Sequence, residues 1–358
     1  KILAADDYCI VLREKLGVLY RDEAFADLFS SQGRPGLSPA LLAMTTILQY
    51  MEGLSDRQAA QQVVTRIDWK YLLGLPLEYS GFDSSVLTEF RVRLLSGGQE
   101  EYLFRRLVEI CRQEKLLKER GKQRTDSTHV LAAVRDLNRL EMVAETMRHA
   151  LNVLATVHPE WLGSQAPLEW YDRYERRVEE YRLPTSKAAR QELAQTIGGD
   201  GYHLWLLLHQ ADAPAGLTDL PAIETLRQVW LQNYYLEDEQ VHWRKAKNLP
   251  PGQLLIQSPY DIEARYSRKG ETTWKGYKVH LTESCDEEHP HLITHVLTTA
   301  STQPDQLALP PIQQSLAEQG LLPATQLVDA GYVDSKRLLE AQRLSIDLVG
   351  PLDKNTTW

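Results

Sequence analysis

The chain has 358 residues, 43% of them hydrophobic and 25% charged, with a formal net charge of −9. That length buries a large core and suits two or three domains, while the acidic balance argues against wholesale affinity for nucleic acid and leaves only local charge to steer a partner. No apolar run approaches the length needed to cross a bilayer; Leu204 to Leu208 is among the longest. Asp6 and Asp7 stand where a signal peptide would place a basic and then an apolar stretch. Cys9, Cys111 and Cys285 lie far apart without metal-ligand spacing and read as reduced thiols of a cytosolic protein. The chain starts at a lysine and stops at Trp358 after a turn-like segment, as a piece of a longer open reading frame would.

Residues 1–120 are helical in pattern and form an N-terminal domain. Ser38-Pro39 is a cap with proline at the first helical position, and Leu41, Leu42, Thr45, Leu48 and Met51 share one face. Gly53 ends that helix; Ser55 and Asp56 open the next, which carries Ala59, Ala60 and Val63. The pair reads either as a helix-turn-helix that enters DNA or as a plain hairpin in a small bundle. With only Arg57 and Arg66 beside Gln58, Gln61 and Gln62, the hairpin is favoured. Further helices run from Ser84 or Ser85 to Leu94 and, after Gly97-Gly98, from Glu100 to Leu117.

Lys122 to Val130 turns to extended propensity, with Thr125, Thr128 and Val130 after the break at Gly121. Asp126 falls inside this strand, which with its flanks (121–135) opens a second domain. From 136 to 252 the helical pattern returns as an insert punctuated by prolines, with 198–220 read as a loop. Trp161, Trp170, Trp205, Trp230 and Trp243 serve there as core anchors. Pro250-Pro251-Gly252 marks the boundary, and 253–358 completes the second domain.

Between Tyr260 and His280 the charge reverses: Arg265, Arg268, Lys269, Lys275 and Lys278 oppose Asp261, Glu263 and Glu271, five minus three or +2. Tyr260, Tyr266, Trp274 and Tyr277 interleave with those cations, as a solvated loop or a nucleic-acid-facing segment would. Tyr277, Val279 and Leu281 alternate with Lys278, His280 and Thr282 in a half-buried strand, and 292–299 returns antiparallel to it. Asp305 caps a helix carrying Leu309, Ile312 and Leu316. Gln326 to Asp329 is a buried strand ending in a carboxylate, Gly331 lets the chain turn, Ser335 caps another helix, and Ile346 to Val349 is the last strand. Together these elements make an α/β fold, a mixed sheet with flanking helices, preceded by an all-α domain and interrupted by a helical insert.

In such a sheet the strands with Asp126 and Asp329 can be neighbours. Two carboxylates brought together repel unless a cation joins them, and hard oxygen ligands suit Mg²⁺ or Mn²⁺. Two ions about 4 Å apart would activate an attacking oxygen and stabilise a leaving one in phosphodiester displacement. The alternative is a pair of structural aspartates.

Thr125-Asp126-Ser127-Thr128-His129-Val130, the run from Ser258-Pro259-Tyr260-Asp261 to Lys275-Gly276-Tyr277-Lys278-Val279-His280, and Leu327-Val328-Asp329-Ala330-Gly331-Tyr332 resemble bacterial insertion-sequence transposases. The resemblance is to the IS1182 group of DDE transposases, whose catalytic domain is RNase H-like. Leu37-Ser38-Pro39 and Ser85-Val86-Leu87 before Phe90-Arg91 resemble the helical domain at the start of those proteins. It implies Asp126 and Asp329 as the first two acids of the triad, sharing two Mg²⁺ or Mn²⁺ ions. The reaction it implies is hydrolytic nicking at transposon ends and attack of the freed 3′-hydroxyl on target DNA. Lys275, Lys278 and His280 would then face the scissile phosphate, and Arg124, Arg268 and Lys269 the DNA backbone. The partners implied are terminal inverted repeats, target DNA and further copies of the chain, in a bacterial cytoplasm and at the nucleoid, with no membrane. The third acid, a glutamate on a helix after the fifth strand, has no place here. Glu340 comes one element too early, so the glutamate is expected beyond Trp358 and these residues alone are expected to be inactive. Two rivals are a non-catalytic remnant that binds transposon ends and a metal-dependent nuclease or phosphatase unrelated to transposition.

Overall fold

The computed structural model describes residues 6–29 and 36–351. The segment ending at Trp358, and any acid beyond it, lie outside them. The chain divides into two units: Lys1–Lys122 with Ser284–Thr294, and Gln123–Glu283 with His295–Trp358.

The first unit is a bundle of α1 (Tyr8–Leu16), α2 (Pro39–Met51), α3 (Asp56–Thr65), α4 (Ile67–Leu73), α5 (Ser85–Ser96) and α6 (Tyr102–Gln113). Ser38 Oγ accepts from Leu41 N, and Ser55 and Gln58 close a reciprocal capping box, so both helix starts follow from local chemistry. Phe25, Leu48, Trp69, Leu87 and Phe90 fill the core. Asp56 ties three helices together through Gln49 (2.6 Å), Thr88 (2.7 Å) and Arg91 (2.6 Å). Arg66, one of the two cations of the supposed recognition helix, is held by Glu52 and Asp68. The sixth helix stops short of Leu117 because Lys115 turns left-handed, at φ 56°.

In the second unit β1 (Lys122–Leu131) leads into the insert: α7 (Arg139–Val157), α8 (Pro159–Gln165), α9 (Leu168–Tyr174), α10 (Lys187–Leu208), α11 (Pro221–Asn233), then β2 (Tyr234–Glu237) and β3 (Gln240–Trp243). The loop expected over 198–220 begins only after Leu208, since α10 continues to that residue. Gly198 and Gly201 do not break it; a Cβ on Gly198 would lie 2.4 Å from the Tyr234 ring and one on Gly201 2.1 Å from Trp230. They are glycines because α11 and β2 press against α10 there. Of the five tryptophans only Trp170 is fully within the core, while the other four pack against its margin. The β2–β3 hairpin was not foreseen: Asp238 and Glu239 turn with positive φ where glycine or asparagine is usual.

The main sheet follows with β4 (Arg265–Lys269), β5 (Thr272–Ser284), β6 (Ile293–Ala300), α12 (Leu309–Glu318), β7 (Thr325–Val328), α13 (Ser335–Arg343) and β8 (Asp347–Val349). Its order is β4-β5-β1-β7-β8, with β6 also pairing β5. It is mixed: β4–β5 is antiparallel and β7–β8 parallel. The basic window is therefore a hairpin rather than a loop; Gly270 turns it and every second side chain of β4 is exposed. Strand β1 runs antiparallel to β5, as Arg124 meets Glu283, Thr125 meets Thr282, and Ala132 N donates to Lys275 O. The same register sets Ser127 opposite His280. Beneath this face a buried polar chain crosses the sheet. Thr125 Oγ1 meets Thr282 Oγ1 at 2.9 Å, Gln326 Nε2 donates to Thr125 Oγ1 at 2.8 Å, and Gln313 Nε2 donates to Gln326 Oε1 at 2.9 Å. Ile312, Leu316, Tyr332 and Leu348 pack around it.

Candidate active site

Strands β1 and β7 are adjacent, so Asp126 and Asp329 lie on neighbouring strands. Asp126 is exposed within β1 and shares the alternation of Arg124, opposite in sense to buried Thr125. Asp329 stands just past the end of β7, where its Oδ1 accepts from Gly331 N at 3.0 Å and caps a single 3-10 turn, Ala330–Tyr332. Asp334, rather than Ser335, caps the helix that follows.

A third carboxylate belongs to this neighbourhood. Asp305 does not cap α12, which begins at Leu309 with no side-chain cap. Its Oδ1 takes the Lys278 ammonium at 2.7 Å, and Lys278 also donates to Gln303 O at 2.8 Å. Asp305 Oδ2 lies 3.1 Å, and Asp329 Oδ1 3.2 Å, from where a Cβ of residue 331 would be. Glycine at 331 is thus explained by two carboxylates converging over its backbone. Sequence reading missed Asp305 because Pro304-Asp305 before an apolar run is also the mark of a helix start.

Under the carboxylates lies Tyr332, fully buried, its hydroxyl 2.5 Å from His280 Nδ1. His280 Nε2 meets Thr299 Oγ1 at 3.0 Å. Burial lowers the His280 pKa from its ordinary value, so the ring is neutral at pH 7. Burial pushes Tyr332 far above the usual phenol range; a hydrogen bond with Ser127 opposes this, and Asp305, Asp329 and Asp126 add to it in that order. Asp305 and Asp329 therefore converge beside this buried hydroxyl, while Asp126 stands on the exposed alternation of the adjacent strand.

Beside them opens a cleft of about 410 Å³ lined by Ser127, Thr128, Arg268, Lys269, Lys278 and Asp305 among others. Arg268 and Lys269 are exposed at its rim. Arg124 is also exposed, paired with Glu283. Lys275 is tied to Leu137 O and to Asp136. The expectation that His280 faces a phosphate is corrected: the residue is fully enclosed, because its strand position points it into the packed side of the sheet. His129 lies against Trp274, ring centroids 5.3 Å apart.

Residues 10–93 match the family model described as a transposase domain, DUF772. This stretch is similar to a transposase domain. This agrees with the resemblance to IS1182-group transposases. The transposase domain spans from α1 into α5 within the first unit, and the three aspartates lie outside the matched residues. No curated protein and no solved structure matches the chain. Within the transposase domain and its edge, Asp7, Cys9 and Asp68 bring three candidate ligating atoms within 4.8 Å, but Arg66 already neutralises Asp68 and burial pushes the Cys9 thiol up to about 12. Among the described residues Asp126, Asp305 and Asp329 do not form so tight a group.

Proposed function

We propose that the chain is the catalytic polypeptide of a DDE-type transposase that cleaves DNA at transposon ends and transfers the freed strand to a target. The observation that carries this reading is the placement of Asp126 and Asp329 on adjacent strands, with Asp305 converging on Asp329 over Gly331 beside a cleft with cations at its rim. The order β6-β5-β1-β7-β8, antiparallel where β1 meets β5 and parallel where β7 meets β8, supports the RNase H-like arrangement that the resemblance implies.

The donor set fits hard divalent cations: all three groups are carboxylates, two are exposed, and one Asp305 oxygen stays open to Asp329. Asp126 and Asp329 would hold Mg²⁺ or Mn²⁺, with Asp305 beside them. When bound, the ions supply charge that acidifies an attacking water and stabilises an oxyanion leaving group. Arg268 and Lys269 bind DNA phosphates at the cleft rim, and exposed Arg124 does so on the Asp126 side of β1, fixing position without reading sequence. Lys278, held between Asp305 and Gln303, presents one ammonium inside the cleft. In this reading several copies assemble on the terminal repeats.

The test uses the product of the whole open reading frame and a plasmid carrying the repeats that flank it, with Mn²⁺. Asp126→Asn or Asp329→Asn is expected to lower strand cleavage roughly 100-fold or more while DNA affinity stays within about threefold. Full cleavage by both variants would overturn the proposal. DNA binding without cleavage by the parent protein would instead favour the non-catalytic remnant.

A further inference from the structure

The proposed centre has its acids on separate elements, and something must hold those elements in register. Asp126 is on β1, Asp329 just past β7, and Asp305 in the 3-10 turn before α12. One buried side chain touches the neighbourhood of all three. Tyr332 is three residues after Asp329 and bonds His280 on β5. His280 in turn bonds Thr299 on β6. Ser127, the residue after Asp126, sits opposite His280 in the β1–β5 register, on the face where Tyr332 packs. The rings of His280 and Tyr332 meet edge to face at 82°, centroids 5.7 Å apart, and neither residue is exposed.

We infer that Thr299, His280 and Tyr332, hydrogen-bonded in series with Ser127 on the same face, form a buried pillar whose function is to hold the Asp126 and Asp329 backbones at a fixed separation, making Tyr332 and His280 positioning residues of the metal-dependent centre. The inference rests on the reading of that centre given above. Its chemistry is that of outer-shell support. A neutral imidazole donates through one nitrogen and accepts through the other, and both of its partners are hydroxyls that can do either. The pillar therefore stays satisfied in either tautomer, without adding charge beside carboxylates that must hold cations. The backbone ladder sets the register of β1 against β7, and the two directed side-chain bonds add a tie from the turn after Asp329 to β5 and β6. A plain core tyrosine would need one hydroxyl partner. This one bonds a histidine that is itself bonded to a third element, so the turn carrying Asp329 is tied to both β5 and β6.

The test compares Tyr332→Phe with the parent in the full-length protein. Mn²⁺ affinity is read by electron paramagnetic resonance of the free ion, DNA affinity by anisotropy, and single-turnover cleavage on repeat-bearing DNA. Outer-shell partners of metal ligands typically change affinity or activity about 10–100-fold. Tyr332→Phe is expected to weaken Mn²⁺ binding at least about tenfold and to slow cleavage comparably, with DNA affinity unchanged. Ser127→Ala, which removes one link and leaves both rings, is expected to do the same to a smaller degree and serves if Tyr332→Phe does not fold. Mn²⁺ affinity and cleavage within twofold of the parent in a folded Tyr332→Phe or Ser127→Ala protein would reduce the pillar to core packing and overturn the inference. Asp329→Asn run alongside separates the two failures. If it too leaves Mn²⁺ binding intact, the proposed centre is wrong; if it alone abolishes binding, only the pillar is.

Discussion

Thr125→Val tests whether the polar chain beneath the sheet, rather than apolar packing, ties the strand of Asp126 to the strand of Asp329. Valine is nearly isosteric, so no cavity opens, but the acceptor for Gln326 Nε2 disappears. Gln326 is fully enclosed and Thr125 is 2% exposed, so water cannot replace the bond. An unsatisfied buried amide costs about 1–3 kcal/mol, and loss of the Thr125–Thr282 bond adds about 1 kcal/mol. The total is roughly 2–4 kcal/mol, or a fall in Tm of about 5–15 °C at the ~2–4 °C per kcal/mol of a unit this size. Thr125→Ser keeps the hydroxyl and loses one methyl, worth about 1 kcal/mol. Combined with Gln326→Leu, Thr125→Val should be less than additive by about 1–2 kcal/mol, because the orphaned amide is gone. Calorimetry and urea denaturation of the four proteins give these values directly. If Thr125→Val melts within 2 °C of the parent, or if serine is as damaging as valine, the bonds are not what joins β1 to β7.

Gly276 is the second place where sequence permits only one residue: φ is 151° and a Cβ would sit 2.1 Å from Val130 O and 2.6 Å from Ala132 N. Both neighbours are backbone, so Gly276→Ala should destabilise by about 4 kcal/mol or more and leave the protein insoluble; soluble protein of normal Tm would contradict the β1–β5 geometry. In the helical unit, the Arg91 guanidinium, helped by Thr88 and Gln49, holds the Asp56 carboxyl down to about 2. A carboxyl depressed on folding stabilises above its unfolded pKa, near 4, and loses that contribution as pH falls toward 2. With both groups partly exposed the effect is about 1 kcal/mol. Arg91→Ala should therefore lower stability at pH 7 and flatten its acid dependence between pH 4 and 2; an unchanged slope there would disprove the pairing. For DNA, Arg268→Ala and Lys269→Ala should weaken binding alike on all sequences and lower the slope of log K against log salt by about 0.9 each. A change confined to one sequence would show base reading instead.

Much of this was legible because it rests on local rules. Ser38-Pro39 and Ser55 to Gln58 specify helix starts by capping chemistry, and Gln326 to Asp329 specifies a short strand by apolar run and glycine turn. Adjacent placement of the strands with Asp126 and Asp329 followed from counting elements. What failed depended on contacts distant in sequence. Gly198-Gly199 reads as a break until Tyr234 is seen filling the space a Cβ on Gly198 would need, as Trp230 does at Gly201. His280 shares its strand face with polar Lys278 and Thr282 and looks solvent-facing, yet it is Tyr332, 52 residues on, that encloses it. Asp305 reads as a cap because nothing nearby in the chain reveals that Lys278 holds it. Arg265 to Lys269 reads as loop because its cations mask a strand whose partner supplies the order.

The helical insert between β1 and β4 has a consequence for how the chain acquires its structure. Strand β1 is made early in synthesis, but its partners β5 and β7 follow only after the whole insert has been added. Pairing across such a distance is slow, because loop closure must precede the contacts that reward it. The insert has its own hydrophobic core, from Leu137 through Leu154, Leu204 and Leu226 to Ile256. It can therefore collapse first and turn a long floppy loop into a short effective one. Until then β1 is an exposed strand with both edges open, the species most prone to pair with another chain. Mutations that loosen the insert, far from any aspartate, should accordingly appear first as lower soluble yield rather than as altered chemistry.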